Sequence, residues 1–178
     1  GSGSNQQRAA AAAEAVTTEK TGPRMAVITS GGDAPGMNAA VRAIVRLALQ
    51  RGAQVFRVMR GYSGLIKDKI RPCGWDYVAG MQREGGTCLG TARSDRFRTL
   101  EGRREAAFNL LRRGIGMLVV IGGDGSLTGA NKLREEWPGH VAAWEAAQQQ
   151  GAVGTTGAGN SPRHLVLVGM VGTIDNDL

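Results

Sequence analysis

At 178 residues the chain has room for one domain with a real core, or for part of a larger one. Hydrophobic residues make up 42% and charged residues 21%, an ordinary balance for a soluble globular protein, while the net charge of +7 favours anionic partners. Aromatics, at only 4%, leave few stacking platforms for single-stranded nucleic acid, which points to small phosphates instead.

Residues 1–24 are polar or alanine-rich with no apolar helical face and read as a disordered tail, holding at most a transient helix around Ala9–Ala15. The alanine run carries Glu14 and lacks bulky apolar residues, so it is a poor signal peptide. The ordered domain, 25–178, is expected to begin at MAVITS (Met25–Ser30), a short strand running into GGDAPGMN. NAAVRAIVRLALQRG then places Val41, Ile44, Val45 and Ala48 on one helical face, with Arg51–Gly52 as a stop. AQVFRVM (Ala53–Met59) is the next expected strand, RGYSG a loop, and 75–83 a short helix.

A stretch rich in Gly and Arg follows, GGTCLGTARSDRFR. EGRREAAFNLLRRG predicts a helix with Ala107, Phe108 and Leu111 inward, and IGMLVVI (Ile115–Ile121) a strand buried on both faces. GGDGS opens a further helix, SLTGANKLREEW, which Pro138 is expected to stop. Residues 139–150 are weakly helical and GAVGTTGAGNSPR (151–163) looks exposed, so 139–163 reads as an insertion or loop. LVLVGMV (Leu165–Val171) is the last strand and feeds TIDND. This alternation predicts an α/β fold: a doubly wound, mostly parallel sheet with helices on both faces and its ligand site at the strand carboxyl ends.

Cys73 and Cys88 lack CxxC or Cys/His spacing, which argues against a disulfide framework or a zinc site and for reduced, cytosolic thiols. No apolar stretch approaches membrane-span length.

Three loops at strand ends carry the chemistry. GGDAPGMN (31–38) offers successive backbone N–H groups at a helix N-terminus, a natural phosphate cradle, although a plain βα turn with Asp33 as cap fits equally well. GGDGS (122–126) repeats the device. Asp124 is suited to hold Mg²⁺ through one carboxylate and water, and Ser126 to turn its N–H and hydroxyl to phosphate; the plainer alternative is a turn aspartate and a capping serine. TIDND (173–177) is either a polar turn or a catalytic carboxylate loop. There is no GxxxxGK[ST], and no lysine in these loops, so positive charge falls to Arg93, Arg96 and Arg98.

SGGDAPGMNAAVRA, GGTCLGTARSDRFRTLEGR, VVIGGDGSLTGA and VGTIDND stand in the order and spacing of ATP-dependent 6-phosphofructokinases. With EGRREAAFNLL and LREEW added, the chain resembles the N-terminal part of the eukaryotic type, over 25–178 apart from 139–163. GGDG alone also occurs in NAD kinases and diacylglycerol kinases; four motifs in register are far more specific.

The resemblance implies glycolytic phosphoryl transfer from MgATP to the 1-hydroxyl of fructose 6-phosphate, by a cytoplasmic, allosteric enzyme whose intact parent is an oligomer, a tetramer. Gly32, Tyr62, Arg93, Arg98, Gly125, Ser126 and Gly129 match ATP-binding positions, as does Ser94, where many relatives carry Cys. Asp124 matches the Mg²⁺ position, and Asp175 the catalytic base, with Thr173 and Asp177 beside it. Pyrophosphate-dependent relatives carry Asp and Lys where this chain has Gly125 and Gly172, so ATP is the expected donor. Arg42 and Arg46 match arginines of the bacterial allosteric anion site, or are a solvated helix pair. The fructose 6-phosphate residues of the family lie beyond Leu178, so the chain alone is expected to be without turnover. Two other readings are a further GGDG kinase acting on NAD or lipid, and a non-catalytic regulatory or interaction fragment. Neither nucleic acid nor membrane is an expected partner.

Overall fold

The computed structural model describes residues 22–154 and 161–174. Most of the expected tail, the middle of the expected insertion, and Asp175–Leu178 lie outside the described residues.

Five strands form one sheet in the order β3-β2-β1-β4-β5: β1 Arg24–Thr29, β2 Gln54–Val58, β3 Ile70–Pro72, β4 Met117–Gly122 and β5 Val166–Val171. Neighbours among β2, β1, β4 and β5 run parallel, as the βα alternation requires. The short β3 pairs antiparallel with β2, Val58 opposite Ile70, and was not expected from the sequence. Alternation along β1 sends Ala26 and Ile28 into one core layer, and Met25 and Val27 into the other. The first layer lies under α2 (Gly61–Ile66), α4 (Leu100–Arg112) and α5 (Asp124–Gln149); the second lies under α1 (Met37–Gln50) and the four-residue α3 (Trp75–Val78). The doubly wound expectation is met, with helices on both faces.

Val41 and Val45 of α1 are fully buried, with Ile44 and Ala48 packed alongside. The expected RGYSG loop is instead α2. Its last carbonyls, of Leu65 and Ile66, accept from Asn109 Nδ2 at 2.9 and 2.8 Å, so the groups that end a helix unpaired are satisfied by a residue of α4.

A second correction concerns Pro138. The helix does not stop there: α5 runs on to Gln149, so residues 139–149 are helix, in keeping with their weakly helical pattern, and not loop. Trp137, His140, Val141 and Trp144 continue the buried stripe at helical spacing, and Trp144 meets Phe108 edge-on at 5.2 Å. The indole N–H groups of Trp137 and Trp144 donate to Pro162 O (3.3 Å) and Ser161 Oγ (3.0 Å). Two tryptophans burying about 150–250 Å² each outweigh the roughly 3 kcal/mol cost of an interior proline, whose side of the helix faces water.

His140 is 2% exposed, between α4 and α5. Burial holds its imidazole below the ordinary range; Glu136, 3.4 Å away, opposes this, and Arg104 and Arg103 reinforce it. The folded state therefore binds a proton less readily than the unfolded chain. Stability is complete above the free imidazole value of 6.5 and declines as pH falls below it. Glu136, held below its usual 4.5, loses its own contribution only in a lower range. Thermal melts from pH about 7.5 to about 5 should show a falling midpoint, with a flatter slope for His140→Gln. Equal slopes would remove His140 as the cause.

The two sheet edges differ. β3 is three residues long and ends on Pro72, whereas β5 leaves Val166, Val168 and Met170 exposed on the α1 side. Among the described residues no helix is long and apolar enough to cross a membrane, and Cys73 and Cys88 are both free thiols.

Candidate functional site

The chain leaves β1 towards β2 on one side, while β4 lies on the other, so the carboxyl ends of β1 and β4 flank the point where the winding reverses. The GGDAPG and GGDGS loops start there. Ser30 N donates to Ile121 O (2.9 Å), carrying the ladder one step past β1, and Ser126 Oγ donates to Ser30 Oγ (3.1 Å). A Cβ on Gly122 would stand 2.4 Å from Ser30 O, so the two loops meet closely only because residue 122 is glycine.

Gly32 and Gly125 behave differently. Neither has a positive φ, and a Cβ on either would meet nothing within 4 Å. Neither backbone conformation nor packing within the described residues demands glycine at these two positions.

Asp124 is the first residue of α5 and is exposed, with Thr128 Oγ1 3.5 Å from its Oδ1. Among the described residues no three His, Cys, Asp or Glu cluster to cage a metal. A single exposed carboxylate is still compatible with Mg²⁺, which keeps most of its shell as water and phosphate oxygen. Asp33 does not cap α1, whose N-cap is Gly36; its carboxylate lies against Gly86.

Ser126 is buried. Its N–H closes the first turn on Gly123 O (3.0 Å), its hydroxyl is engaged with Ser30, and its carbonyl accepts from Tyr62 Oη at 2.6 Å. Tyr62 is likewise buried, its phenol pushed well above the ordinary range by desolvation. Its ring stacks on Phe97 at 3.8 Å and 8°, and Gly129 makes room for the pair, since a Cβ there would lie 3.2 Å from the Phe97 ring. Tyr62, Ser126 and Gly129 thus brace the first turns of α5.

The segment from Glu84 to Arg98 crosses the ends of β1 and β2. Asn38, buried at the start of α1, takes Cys88 N on its Oδ1 (2.8 Å) and donates Nδ2 to Glu84 O (3.1 Å). Thr29 Oγ1 donates to Gly90 O (3.2 Å) and lies 2.9 Å from Thr87 Oγ1, and Arg60 N donates to Leu89 O (2.8 Å). Gly61, at φ 58°, allows Ala92 to pass; a Cβ would sit 3.2 Å from both Ala92 O and Thr29 O. From this anchored backbone Arg93 and Arg98 reach solvent, Arg98 with only a loose pairing to Asp95 at 4.0 Å. Ser94 Oγ accepts Phe97 N–H (3.3 Å), while Arg96 pairs with Glu105.

At the end of β5, Gly172 N donates to Gly122 O (3.0 Å), which brings half-buried Thr173 beside the GGDGS loop. Asp175 and Asp177 lie outside the described residues. Arg42 and Arg46 are not gathered at the strand ends: Arg46 lies over the Trp75 ring at 4.9 Å, and Arg42 is half-buried with its Nε enclosed. The anchoring roles of Asn38, Thr29 and Thr87 were not legible in the sequence, because their partners are distant in the chain.

A family model described as phosphofructokinase matches residues 24–178. The chain is 51% identical over 157 residues to the ATP-dependent 6-phosphofructokinase of Yarrowia lipolytica, covering 87% of this chain and 16% of that protein. It is 51% identical over 158 residues to the muscle-type enzyme of Sus scrofa, covering 88% and 20%. The structure of phosphofructokinase from Saccharomyces cerevisiae matches with a TM-score of 0.77 at 49% identity, covering 86% of this chain and 20% of that one. A pyrophosphate-dependent phosphofructokinase from Marinobacter aquaeolei, 17% identical with a TM-score of 0.59, shares the fold. The chain thus spans 16–20% of the length of these curated relatives. On the strength of this match over residues 24–178, the chain belongs to the phosphofructokinase family.

Proposed function

We propose that this chain is the nucleotide-binding part of an enzyme that transfers a phosphoryl group from MgATP to the 1-hydroxyl of fructose 6-phosphate. The observation that carries the reading is the pair Gly32 and Gly125, open in the loops that leave β1 and β4, with the exposed Asp124 beside Gly125 at the start of α5. Backbone N–H groups and the α5 dipole favour a phosphate chain there, and Arg93 and Arg98 approach it from the crossing segment. Asp124 is the residue to hold Mg²⁺, which when bound neutralises charge on the phosphates.

In phosphoryl transfer the protein mainly positions groups and balances charge. Asp175 accepts the proton of the attacking hydroxyl, with Thr173 and Asp177 beside the sugar and the moving phosphate. The intact enzyme is cytoplasmic and oligomeric on this reading, and fructose 6-phosphate is held largely by residues outside this chain.

Titration of the chain with MgATP in a calorimeter should give one saturable binding event; no heat at millimolar nucleotide would overturn the reading. In an intact enzyme carrying this sequence, Asp175→Ala should lower turnover about 10²–10⁴-fold with nucleotide affinity nearly unchanged. A near-normal rate would remove Asp175 as the base.

A further inference from the structure

Between α4 and α5 lies a partly buried ion pair that the nucleotide reading does not use. Arg103 is 7% exposed, and desolvating its charge demands full compensation. Its Nε and Nη2 donate to Glu136 Oε2 and Oε1, both at 2.7 Å. Its Nη1 donates to Phe97 O at 3.0 Å and to Arg98 O at 2.6 Å. The same hydrogen bonding holds the Glu136 carboxyl below its usual range.

The two carbonyls belong to the 3-10 turn Arg96–Arg98, the last turn of the arginine-rich segment. The third carbonyl of that turn, Arg96 O, accepts from Thr99 Oγ1 at 2.7 Å, while the same hydroxyl caps α4 by accepting Gly102 N at 3.1 Å. All three carbonyls are therefore taken, two of them by one guanidinium. Phe97 is fixed from the other side by its stack on Tyr62. The Arg98 side chain is 85% exposed, so its starting point is set by the backbone alone.

We propose that Arg103, oriented by Glu136, is a positioning residue for nucleotide binding: it clamps the carbonyls of Phe97 and Arg98, so that the Arg98 guanidinium meets the phosphate chain from a preset backbone. The inference rests on the nucleotide reading above. A segment ordered in advance spares the ligand the cost of ordering it. Lysine cannot replace Arg103, because one ammonium cannot span a carboxylate and two carbonyls in a planar fork.

The test compares the wild-type chain with Arg103→Lys, Glu136→Gln and a comparator, Asp68→Asn. Asp68 accepts Arg113 Nε and Nη2 at 2.9 and 2.8 Å near the other end of α4, away from the 3-10 turn. Melting temperature, the rate of tryptic cleavage after Arg93, Arg96 and Arg98, and MgATP affinity are measured for each. Arg103→Lys and Glu136→Gln should speed cleavage about tenfold and weaken MgATP about 10–100-fold. Asp68→Asn should lower the melting temperature while leaving both other readouts near wild type.

The proposal is overturned if either variant matches wild type in cleavage or in affinity. It is also overturned if both merely follow Asp68→Asn in proportion to lost stability, or if neither folds, since the pair would then hold the α4–α5 packing as a whole. A wild-type chain that binds no MgATP fails the nucleotide reading, while the cleavage comparison still decides whether Arg103 fixes the segment.

Discussion

Gly125→Asp should cost the chain its MgATP binding while leaving the fold intact. Position 125 is the second residue of α5, and a side chain there enters open space, so nothing in the protein is displaced. A carboxylate in the first turn complements the helix dipole, worth about 0.3–1 kcal/mol, and glycine is a poor helix former. The melting temperature should hold or rise slightly. The same carboxylate stands where a phosphate chain would lie, beside Asp124. Like charges about 4 Å apart at an effective dielectric near 20 repel by about 4 kcal/mol, which corresponds to a loss of two to three decades in affinity. Calorimetric titration with MgATP checks this. Unchanged affinity would mean that the open face of Gly125 is not where nucleotide binds.

Gly122→Ala should have the opposite character, a large loss of stability from one methyl group. Its Cβ would lie 2.4 Å from Ser30 O and 2.9 Å from Ser126 Cβ. Neither neighbour can yield easily. Ser30 is fixed by its N–H to Ile121 O and by the hydroxyl of Ser126, and the Gly122 carbonyl already accepts Gly172 N. Overpacking of this kind costs about 3 kcal/mol at the upper end of the usual range. For a chain of this size that lowers the melting temperature by about 6–12 °C. A melt within about 2 °C of wild type would show that the β1 and β4 loops can part without loss.

These two glycines belong to one motif and looked alike in the sequence. GGDGS showed that backbone must pass close to something; it did not show that residue 122 approaches protein and residue 125 faces open space. The same division runs through the fold. β1 and β4 were legible because each holds a short apolar run leading into a glycine pair, and their neighbours followed from the βα alternation. α2 was not, because the group that completes it is Asn109, 44 residues away from Leu65. Pro138 misled because a local rule about one missing N–H competes with Trp137 and Trp144, whose burial depends on α4 and on Ser161 and Pro162. In the site, the arginines were visible as residue types, whereas their anchors were not: Asn38 lies 50 residues from Cys88, and Arg103 lies 33 from Glu136. The hydroxyls of Tyr62 and Ser126, expected at the nucleotide, donate to the Ser126 carbonyl and to Ser30 Oγ. Side-chain direction at a strand end depends on which loops meet there, and no single stretch of sequence records that meeting.

The unequal sheet edges bear on how copies of the chain behave towards one another. At β3 the row of outward N–H and C=O groups is short and broken by Pro72, a common way of discouraging further pairing. At β5 the described edge is six residues long, without proline or charge, and presents Val166, Val168 and Met170 on one face. Such an edge is a template for intermolecular strand addition. The net charge of +7 opposes that addition, a repulsion that weakens as salt shortens its range. Ionic strength thus sets the balance between dispersed and self-associated chains, with salt favouring association.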